Sequence, residues 1–204
     1  MVICRHYLHE ISFECDHKIK PRFYAQKHHI GQIMLTGKNI VLSEFQRLDI
    51  TDEYIAWLND FDVVKFSNQR FASHNRTTCE AYLASFVGTS NKFLVIRHNE
   101  SNKIIGTMTV YQNLHHGTAD VGIMIGDKNF WGKGLGQEAW DAVLNWLLTS
   151  VGMRKVTAGT LQCNHGMIRL MERSQMELEA VKKKQEIVDG VATDLVYYAK
   201  FADA

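Results

Sequence analysis

The chain has 204 residues, of which 46% are hydrophobic and 22% are charged, and these proportions are typical of a globular protein rather than a disordered one. Twenty-three basic and 22 acidic residues leave a formal net charge of +1, so we expect neither a nucleic acid nor a membrane surface as a partner. No apolar run reaches the length of about 18 residues that would predict a membrane-spanning helix. Length and composition predict one domain, with or without an appendage.

Residues 1–33 differ in composition from the rest of the chain, because they contain five of the ten histidines and the only proline. We interpret them as a poorly structured extension that precedes a single domain at residues 34–204. Because Met34 begins a cleaner segment, an alternative interpretation takes it as the true start of the protein.

The four cysteines are far apart and form no CxxC pair, which is unlike a disulfide framework and typical of a protein in a reducing cytosol. We therefore expect a cytoplasmic location. The candidate metal ligands all lie near the start of the chain and are Cys4, His6, His9 and Cys15. Their spacing does not match the paired ligands of structural zinc sites, so we expect no metal.

The first third of the domain predicts one strand and two helices. Residues 38–45 alternate between apolar and polar side chains, as a strand does. The first helix has Asp49 or Thr51 as its candidate N-cap, and the second has Thr77 or Thr78.

Three strands are predicted next, at residues 92–97, 103–111 and 118–125. The connections between them are too short for a crossover, so the strands form an antiparallel meander. A glycine-rich segment then leads into a long helix that extends to about Ser150, followed by a strand at residues 155–160. Because a helical crossover joins them, this strand is predicted to lie parallel to residues 118–125.

The C-terminal region predicts one more helix and a hairpin. Asn164 is a good N-cap for the helix. Residues 178–188 and 191–201 form the two strands of the hairpin, and Asp189-Gly190 is a strong signal for the turn between them.

The most informative segment is Trp131-Gly132-Lys133-Gly134-Leu135-Gly136, which joins a strand to a helix. Glycines allow backbone N–H groups to approach a ligand, and the N-terminus of a helix attracts anions, so the segment predicts a phosphate-binding loop. It is not a P-loop, because Gly134 follows Lys133 where a Ser or Thr is required. Gly134, Gly136 and Ala139 match the dinucleotide fingerprint, but the loop follows a meander and no acid ends the next strand.

The same segment resembles the acetyl-CoA loop of the GNAT superfamily, whose pattern is Gln/Arg-x-x-Gly-x-Gly/Ala, with Trp131 at the first position. The run from Trp131 to Ala139 is similar to W-G-x-G-hydrophobic-[AG]-x-E-A, which is usual in the branch that includes ribosomal-protein N-terminal acetyltransferases. The resemblance implies an α/β (α+β) GNAT fold. This fold has a mixed, mostly antiparallel sheet of about seven strands, a splayed parallel pair at its centre and about four helices.

A second, less specific resemblance concerns the acceptor. Residues 57–60 and 65–67, followed by Gln69-Arg70-Phe71-x-x-His74, are similar to acetyltransferases that act on amino sugars of surface polysaccharides or flagellin glycans. It implies that Arg70, Phe71 and His74 bind the acceptor.

The resemblance to the family also implies the residues that hold acetyl-CoA. They lie on the strand before the loop, in the loop itself and at the start of the later helix: Ile123, Met124, Ile125, Gly132, Lys133, Gly134, Leu135, Gly136, Gln137 and Asn164. The backbone amides of Met124 and Ile125 would polarise the thioester carbonyl. No covalent intermediate is implied.

The residues that move protons are less well defined. Asp120 is the first candidate for the general base, because it lies on the same strand face as Gly122. His74 is the second, because an unperturbed imidazole has a pKa of about 6.5. Many relatives have a tyrosine general acid where this chain has Met171, so the proton donor to the thiolate stays open between Ser174 and water.

The sequence therefore predicts an N-acetyltransferase that transfers acetyl from acetyl-CoA to a primary amine in a ternary complex. An amino-sugar nucleotide is the first choice of acceptor, a protein N-terminus the second and a small free amine the third. A module that binds acyl-CoA without turnover is the alternative from another class. We expect a monomer or a homodimer.

Overall fold

The computed structural model describes residues 33–203, which form one mixed sheet of eight strands with helices on both faces. The strands are β1 Met34–Thr36, β2 Ile40–Glu44, β3 Lys92–His98, β4 Ile104–Asn113, β5 Thr118–Ile125, β6 Lys155–Leu161, β7 Glu177–Val188 and β8 Val191–Phe201. The α-helices are α1 Asp52–Asn59, α2 Phe61–Val64, α3 Arg76–Ala84, α4 Leu135–Asn145 and α5 His165–Arg173. The expected α/β architecture is confirmed, with one more strand and one more helix than predicted.

The strand order is β1-β2-β3-β4-β5-β6-β8-β7, and every neighbouring pair is antiparallel except β5 and β6. The parallel pair is short, because its register begins at Thr118 with Lys155 and ends at Asp120 with Thr157. Both strands continue beyond that point, so β5 and β6 separate and leave a wedge-shaped gap, which we call the splay. The predicted splayed parallel pair is therefore present.

Two apolar cores lie on opposite faces of the sheet. The larger core packs α4 and α5 against one face, with Trp140 and Leu147 fully buried in it. The smaller core packs α1, α2 and α3 against the other face around Phe93. Because side chains alternate along a strand, β5 sends Ile123 into the larger core and Met124 into the smaller one.

The helix termini follow local capping chemistry. Thr51 caps α1, and its side chain accepts a hydrogen bond from the amide of Tyr54. The cap of α3 is Asn75 rather than the predicted Thr77 or Thr78, because Asn75 and Thr78 form a reciprocal capping box. The long helix leaves α-geometry at Asn145 and continues as a π-helical turn over Trp146–Ser150.

The predicted N-terminal extension and its four possible metal ligands lie outside the described residues, apart from the extension's last residue, Ile33. Within residues 33–203, no helix is both long and apolar enough to cross a membrane.

Candidate functional site

The segment that runs from the end of β5 into the first turn of α4, residues 126–136, is called the glycine loop here. Gly132 has φ of 73° and Gly134 has φ of 79°, a left-handed conformation that favours glycine. A Cβ added at either position would meet no atom within 4 Å, so the space above both residues is open to a ligand. Gly134 is also the N-cap of α4, which directs the free amides of the first helical turn toward that space.

Gly136 has a different role from the other two glycines. A Cβ at this position would lie 3.4 Å from Cγ1 of Ile125, an ordinary packing distance. The packing of α4 against β5 would therefore accept a small side chain at this position.

The glycine loop is attached to the fold at two points. Trp131, which replaces the usual Gln or Arg, donates an indole N–H to the backbone oxygen of Ile125 at 2.7 Å. Lys128 forms ion pairs at 2.8 Å with both Asp60 and Asp62 beside α2. The hydrogen bonds that Lys128 donates to Asp60 and Asp62 raise the pKa of Lys128 above its usual value, so the lysine is charged at neutral pH. These contacts connect the loop to both β5 and the α1–α2 region.

A cleft of about 590 Å³ lies against the glycine loop and the splay, and we call it the loop cleft. It brings together eight of the ten predicted acetyl-CoA residues: Ile123, Ile125, Gly132, Gly134, Leu135, Gly136, Gln137 and Asn164. Met124 does not line it, because its side chain lies on the opposite face of the sheet. Lys133 is exposed outside the lining, with its Nζ 5.3 Å from the ring centre of Phe130.

Three cationic side chains in the lining were not among the predicted residues. They are Lys65, which follows α2, and Arg169 and Arg173 on α5. The two arginines are four residues apart, so they lie on one face of that helix. This spacing was visible in the sequence, but only the packing of α5 beside the splay brings it to the cleft.

Two predicted polar residues in the loop cleft are engaged by the protein itself. Asn164, only 2% exposed, accepts a hydrogen bond from the amide of Met167 and donates one to Oγ1 of Thr160 at 3.0 Å. Gln137 donates to Oγ of Ser174 at 2.6 Å. Asn164 therefore fixes the start of α5, and Gln137 connects α4 to the C-terminal end of α5.

Neither of the two positions considered for a proton donor, Met171 and Ser174, lines the loop cleft. Met171 is fully buried in the larger core. Ser174 is 5% exposed and donates its hydroxyl to Asp141 on α4 at 2.5 Å. Both residues serve the packing of α4 against α5.

A second cavity, of about 260 Å³, lies on the opposite face beneath α3, and we call it the α3 cavity. Its walls include His74, Tyr82 and Gly122, together with Ile123. Ile123 also lines the loop cleft, so the two spaces meet at a single residue of β5. The backbone of His74 is held by Asn59, whose side chain both accepts from its N–H and donates to its C=O at 2.9 Å.

Asp120 lies in a third space, a cavity of about 50 Å³ where the parallel pairing ends, which we call the splay cavity. Thr157 on β6 donates its hydroxyl to Oδ2 of Asp120 at 2.9 Å. The carboxylate also borders an open cleft of about 820 Å³ on the same sheet face, so solvent can reach it. The two predicted bases, Asp120 and His74, thus occupy neighbouring but separate cavities.

Arg70 and Phe71 lie beside the β7–β8 hairpin. The Arg70 side chain is 7% exposed and lies 3.6 Å from the Glu186 carboxylate, and it donates to the backbone oxygens of Ser67 and Ile187. Phe71 is 73% exposed, with the guanidinium carbon of Arg70 4.2 Å from its ring centre. An acceptor phosphate would have to displace Glu186 to reach this arginine.

The fold and this site define the class of protein. Residues 39–177 match the model of the family described as Acetyltransferase (GNAT) domain. The chain belongs to the GNAT acetyltransferase family, as its glycine loop and splayed strands predicted.

Two curated relatives differ in how much of their length this chain covers. The probable N-acetyltransferase YjcK of Bacillus subtilis is 22% identical over 169 residues, which cover 79% of this chain and 93% of the relative. The uncharacterized protein MJ1062 of Methanocaldococcus jannaschii is 31% identical over 93 residues, or 46% of this chain and only 18% of that protein.

Solved structures show the same fold at low sequence identity. The ribosomal-protein-S5-alanine acetyltransferase from Vibrio fischeri superimposes with a TM-score of 0.72 at 16% identity, covering 84% of this chain and 97% of that one. The microcin C7 self-immunity acetyltransferase MccE, in complex with acetyl-CoA and AMP, gives 0.68 at 21% identity, covering 80% and 93%.

Proposed function

We propose that this protein transfers the acetyl group of acetyl-CoA to the primary amine of an amino-sugar nucleotide, by direct attack in a ternary complex. The observation that carries the proposal is that the loop cleft and the α3 cavity, on opposite sides of β5, are both lined by Ile123. Two substrates bound there would meet at the splay, and such positioning alone contributes strongly to rate. Cys163 lines neither space, which is consistent with a reaction that needs no covalent intermediate.

The loop cleft has the features that a phosphate-bearing acyl donor requires. Open left-handed glycines and the N-terminus of α4 supply backbone N–H groups, and Lys65, Arg169 and Arg173 add positive charge. Beyond Asp120, β5 stays paired with β4 but no longer pairs with β6, so this edge of β5 can bind the extended arm of the donor like a further strand. The amides of Met124 and Ile125 remain the proposed donors to the carbonyl oxygen of the thioester.

The α3 cavity favours a sugar over a polyamine as the acceptor. Its described lining contains uncharged polar groups, namely Gln69, Thr78, Tyr82, Thr107 and Thr109, and no carboxylate. Hydroxyl and amide groups suit the hydroxyls of a sugar ring, whereas a polycation bound there would lack a counter-charge. The AMP held by MccE, which has the same fold, is consistent with a nucleotide portion.

Asp120 is the proposed general base, and His74 is proposed to bind the acceptor with Phe71 and, once the acceptor has displaced Glu186, with Arg70. The Asp120 carboxylate is oriented by Thr157 and borders solvent through the open cleft, so it can accept a proton and release it. His74 lines the α3 cavity itself, which suits an acceptor-binding role and also keeps it as the alternative base.

A protein N-terminus is the second candidate acceptor, because a ribosomal-protein acetyltransferase has the same fold with a TM-score of 0.72. Thiol release should be measured with acetyl-CoA and three acceptors: a uridine-diphosphate-linked amino sugar, an N-terminal alanyl peptide and spermidine. We expect the amino-sugar nucleotide to give the highest kcat/KM. A preference for the peptide would support the second candidate, and binding of acetyl-CoA without thiol release in any assay would indicate a module without turnover.

A further inference from the structure

Tyr197 on β8 lines the splay cavity, and the proposed reaction still lacks an assigned proton donor. The tyrosine position of many relatives is Met171, which is fully buried in the larger core, and the hydroxyl of Ser174 is bonded to Asp141. Neither side chain can supply a proton at the splay, although acetyl transfer from a thioester leaves a thiolate there.

The ring of Tyr197 lies across β6 because the opposite residue is a glycine. The register pairs Gly159 with Tyr197, and a Cβ on Gly159 would be 2.7 Å from Cε1 of the ring. Any side chain at position 159 would therefore displace the ring. Tyr197 lines the splay cavity together with Asp120 and Thr160, its hydroxyl oxygen is buried, and the residue as a whole is only 9% exposed.

The neighbouring residue provides a comparison. Tyr198 points to the opposite face of β8, because side chains alternate along a strand, and its hydroxyl donates to Glu172 on α5. Desolvation and the nearby Glu172 carboxylate raise the pKa of Tyr198 above its usual value. Of these two neighbouring tyrosines, only Tyr197 lines the splay cavity.

We propose that Tyr197 is the general acid of the reaction and acts together with Asp120. This inference rests on the proposed function, because it assigns the proton donor at the same site. A phenol, with an ordinary pKa of about 10, is protonated at neutral pH and can donate as the thiolate leaves. Asp120 in the same cavity, once it has taken the proton of the amine, can then pass that proton to the phenolate.

The protons balance in this scheme. The amine nitrogen forms a bond to the acetyl carbon and gives one proton to Asp120. The carbon–sulfur bond breaks, its electron pair stays on sulfur, and sulfur takes the proton of Tyr197. Asp120 passes its proton to the Tyr197 oxygen, which restores both residues and leaves an amide and a free thiol.

The test compares Tyr197→Phe with Tyr198→Phe, since each variant removes one hydroxyl and keeps the ring. We expect Tyr197→Phe to lower kcat by about 10²-fold or more, the range of a positioned acid, while the thermal shift caused by acetyl-CoA is unchanged. Tyr198→Phe should keep the wild-type kcat. If the two variants have the same kcat, Tyr197 is not the general acid. The proposed function would still stand, because it fails only if the wild type transfers no acetyl group.

A second measurement does not depend on turnover. The ionisation of Tyr197 can be followed in the substrate-free protein by tyrosinate absorbance, as the difference between the wild type and Tyr197→Phe. Asp120→Asn should move this ionisation to lower pH, because the Asp120 carboxylate disfavours the phenolate, while Glu186 in the same cavity and Lys182, whose Nζ lies 5.5 Å from the ring centre, are unchanged. An ionisation that stays unmoved would show that the two groups are not coupled, and the proton relay would be wrong.

Discussion

Glu138, in the first turn of α4, accepts hydrogen bonds from both the backbone N–H and the side chain of Asn39, at 2.7 and 3.0 Å. Asn39 lies in the turn between β1 and β2. A Cβ on Gly37 in the same turn would be 2.3 Å from Oε1 of Glu138, so the turn closes tightly over the carboxylate. The acid of the W-G-x-G motif therefore anchors the helix that carries the glycine loop.

This anchor predicts a dependence of stability on pH. Burial raises the pKa of Glu138, but the hydrogen bonds from Asn39 and the neighbouring backbone outweigh it and hold the pKa below its usual value. A lowered pKa means that the stabilisation is present above the ordinary glutamate pKa of about 4.3 and is lost as the pH falls through the lower, folded-state value. The free energy of unfolding of Glu138→Gln should therefore fall less than that of the wild type when the pH is lowered below about 4.3.

At pH 7 the same variant should lose about 1 kcal/mol of unfolding free energy, a modest amount because the carboxylate is partly exposed. Denaturant unfolding at several pH values would measure both effects. The exposed Glu100, changed to Gln, is the control and should leave the profile of the wild type intact. If the stability of Glu138→Gln depends on pH in the same way as that of the wild type, Glu138 does not anchor α4 through Asn39.

Gly134→Val should abolish the increase in melting temperature that acetyl-CoA causes. A branched side chain would occupy the open space above the loop, and the left-handed φ of 79° adds strain of about 1–2 kcal/mol. Gly88 is a matched control, since its φ is 75° and a Cβ there also meets no atom within 4 Å. Gly88→Val should cost similar stability and keep the acetyl-CoA shift. A folded Gly134→Val protein that binds acetyl-CoA as tightly as the wild type would disprove the loop assignment.

Asp120→Asn should lower kcat by about 10²–10⁴-fold and leave acetyl-CoA affinity nearly unchanged. Asparagine keeps the size of the side chain and can still bond Thr157, so the change removes mainly the ability to accept a proton. Steady-state kinetics across pH would measure the effect. In the wild type we expect kcat to rise with pH through one ionisation, and Asp120→Asn should shift this rising part of the pH–rate profile.

His74→Ala should instead raise KM for the acceptor, because His74 lines the α3 cavity and the loop cleft does not include it. Acetyl-CoA affinity is the internal control and should not change. If His74→Ala abolishes the rise of kcat with pH while Asp120→Asn keeps it, His74 is the base and the two assignments are reversed.

A chain that begins at Met34 should fold and bind acetyl-CoA, with a free energy of unfolding within about 1 kcal/mol of the full chain. Such a chain keeps all of β1, whose three residues pair with β2 at Thr36–Val41, Leu35–Leu42 and Met34–Ser43. Chemical denaturation of both chains would compare them. A truncated chain that fails to fold would show that the preceding residues belong to the domain.

The sequence by itself determined the features that depend on neighbouring residues. The left-handed Gly132 and Gly134, the Asn164 cap of α5 and the Asp189-Gly190 turn all follow from local conformational preferences, so short patterns revealed them. The same local chemistry explains the error at α3, where Asn75 rather than a following threonine made the better cap.

Only the tertiary structure decided which distant residues meet. The contacts of Arg70 with Glu186, of Glu138 with Asn39 and of the Tyr197 ring with Gly159 join elements that are far apart along the chain or arise from the strand register. No periodicity encodes such pairs, because they depend on how eight strands and five helices fill space together. For this reason the loop was predictable from its glycines, whereas the shared wall at Ile123 and the phenol in the splay cavity emerged from packing.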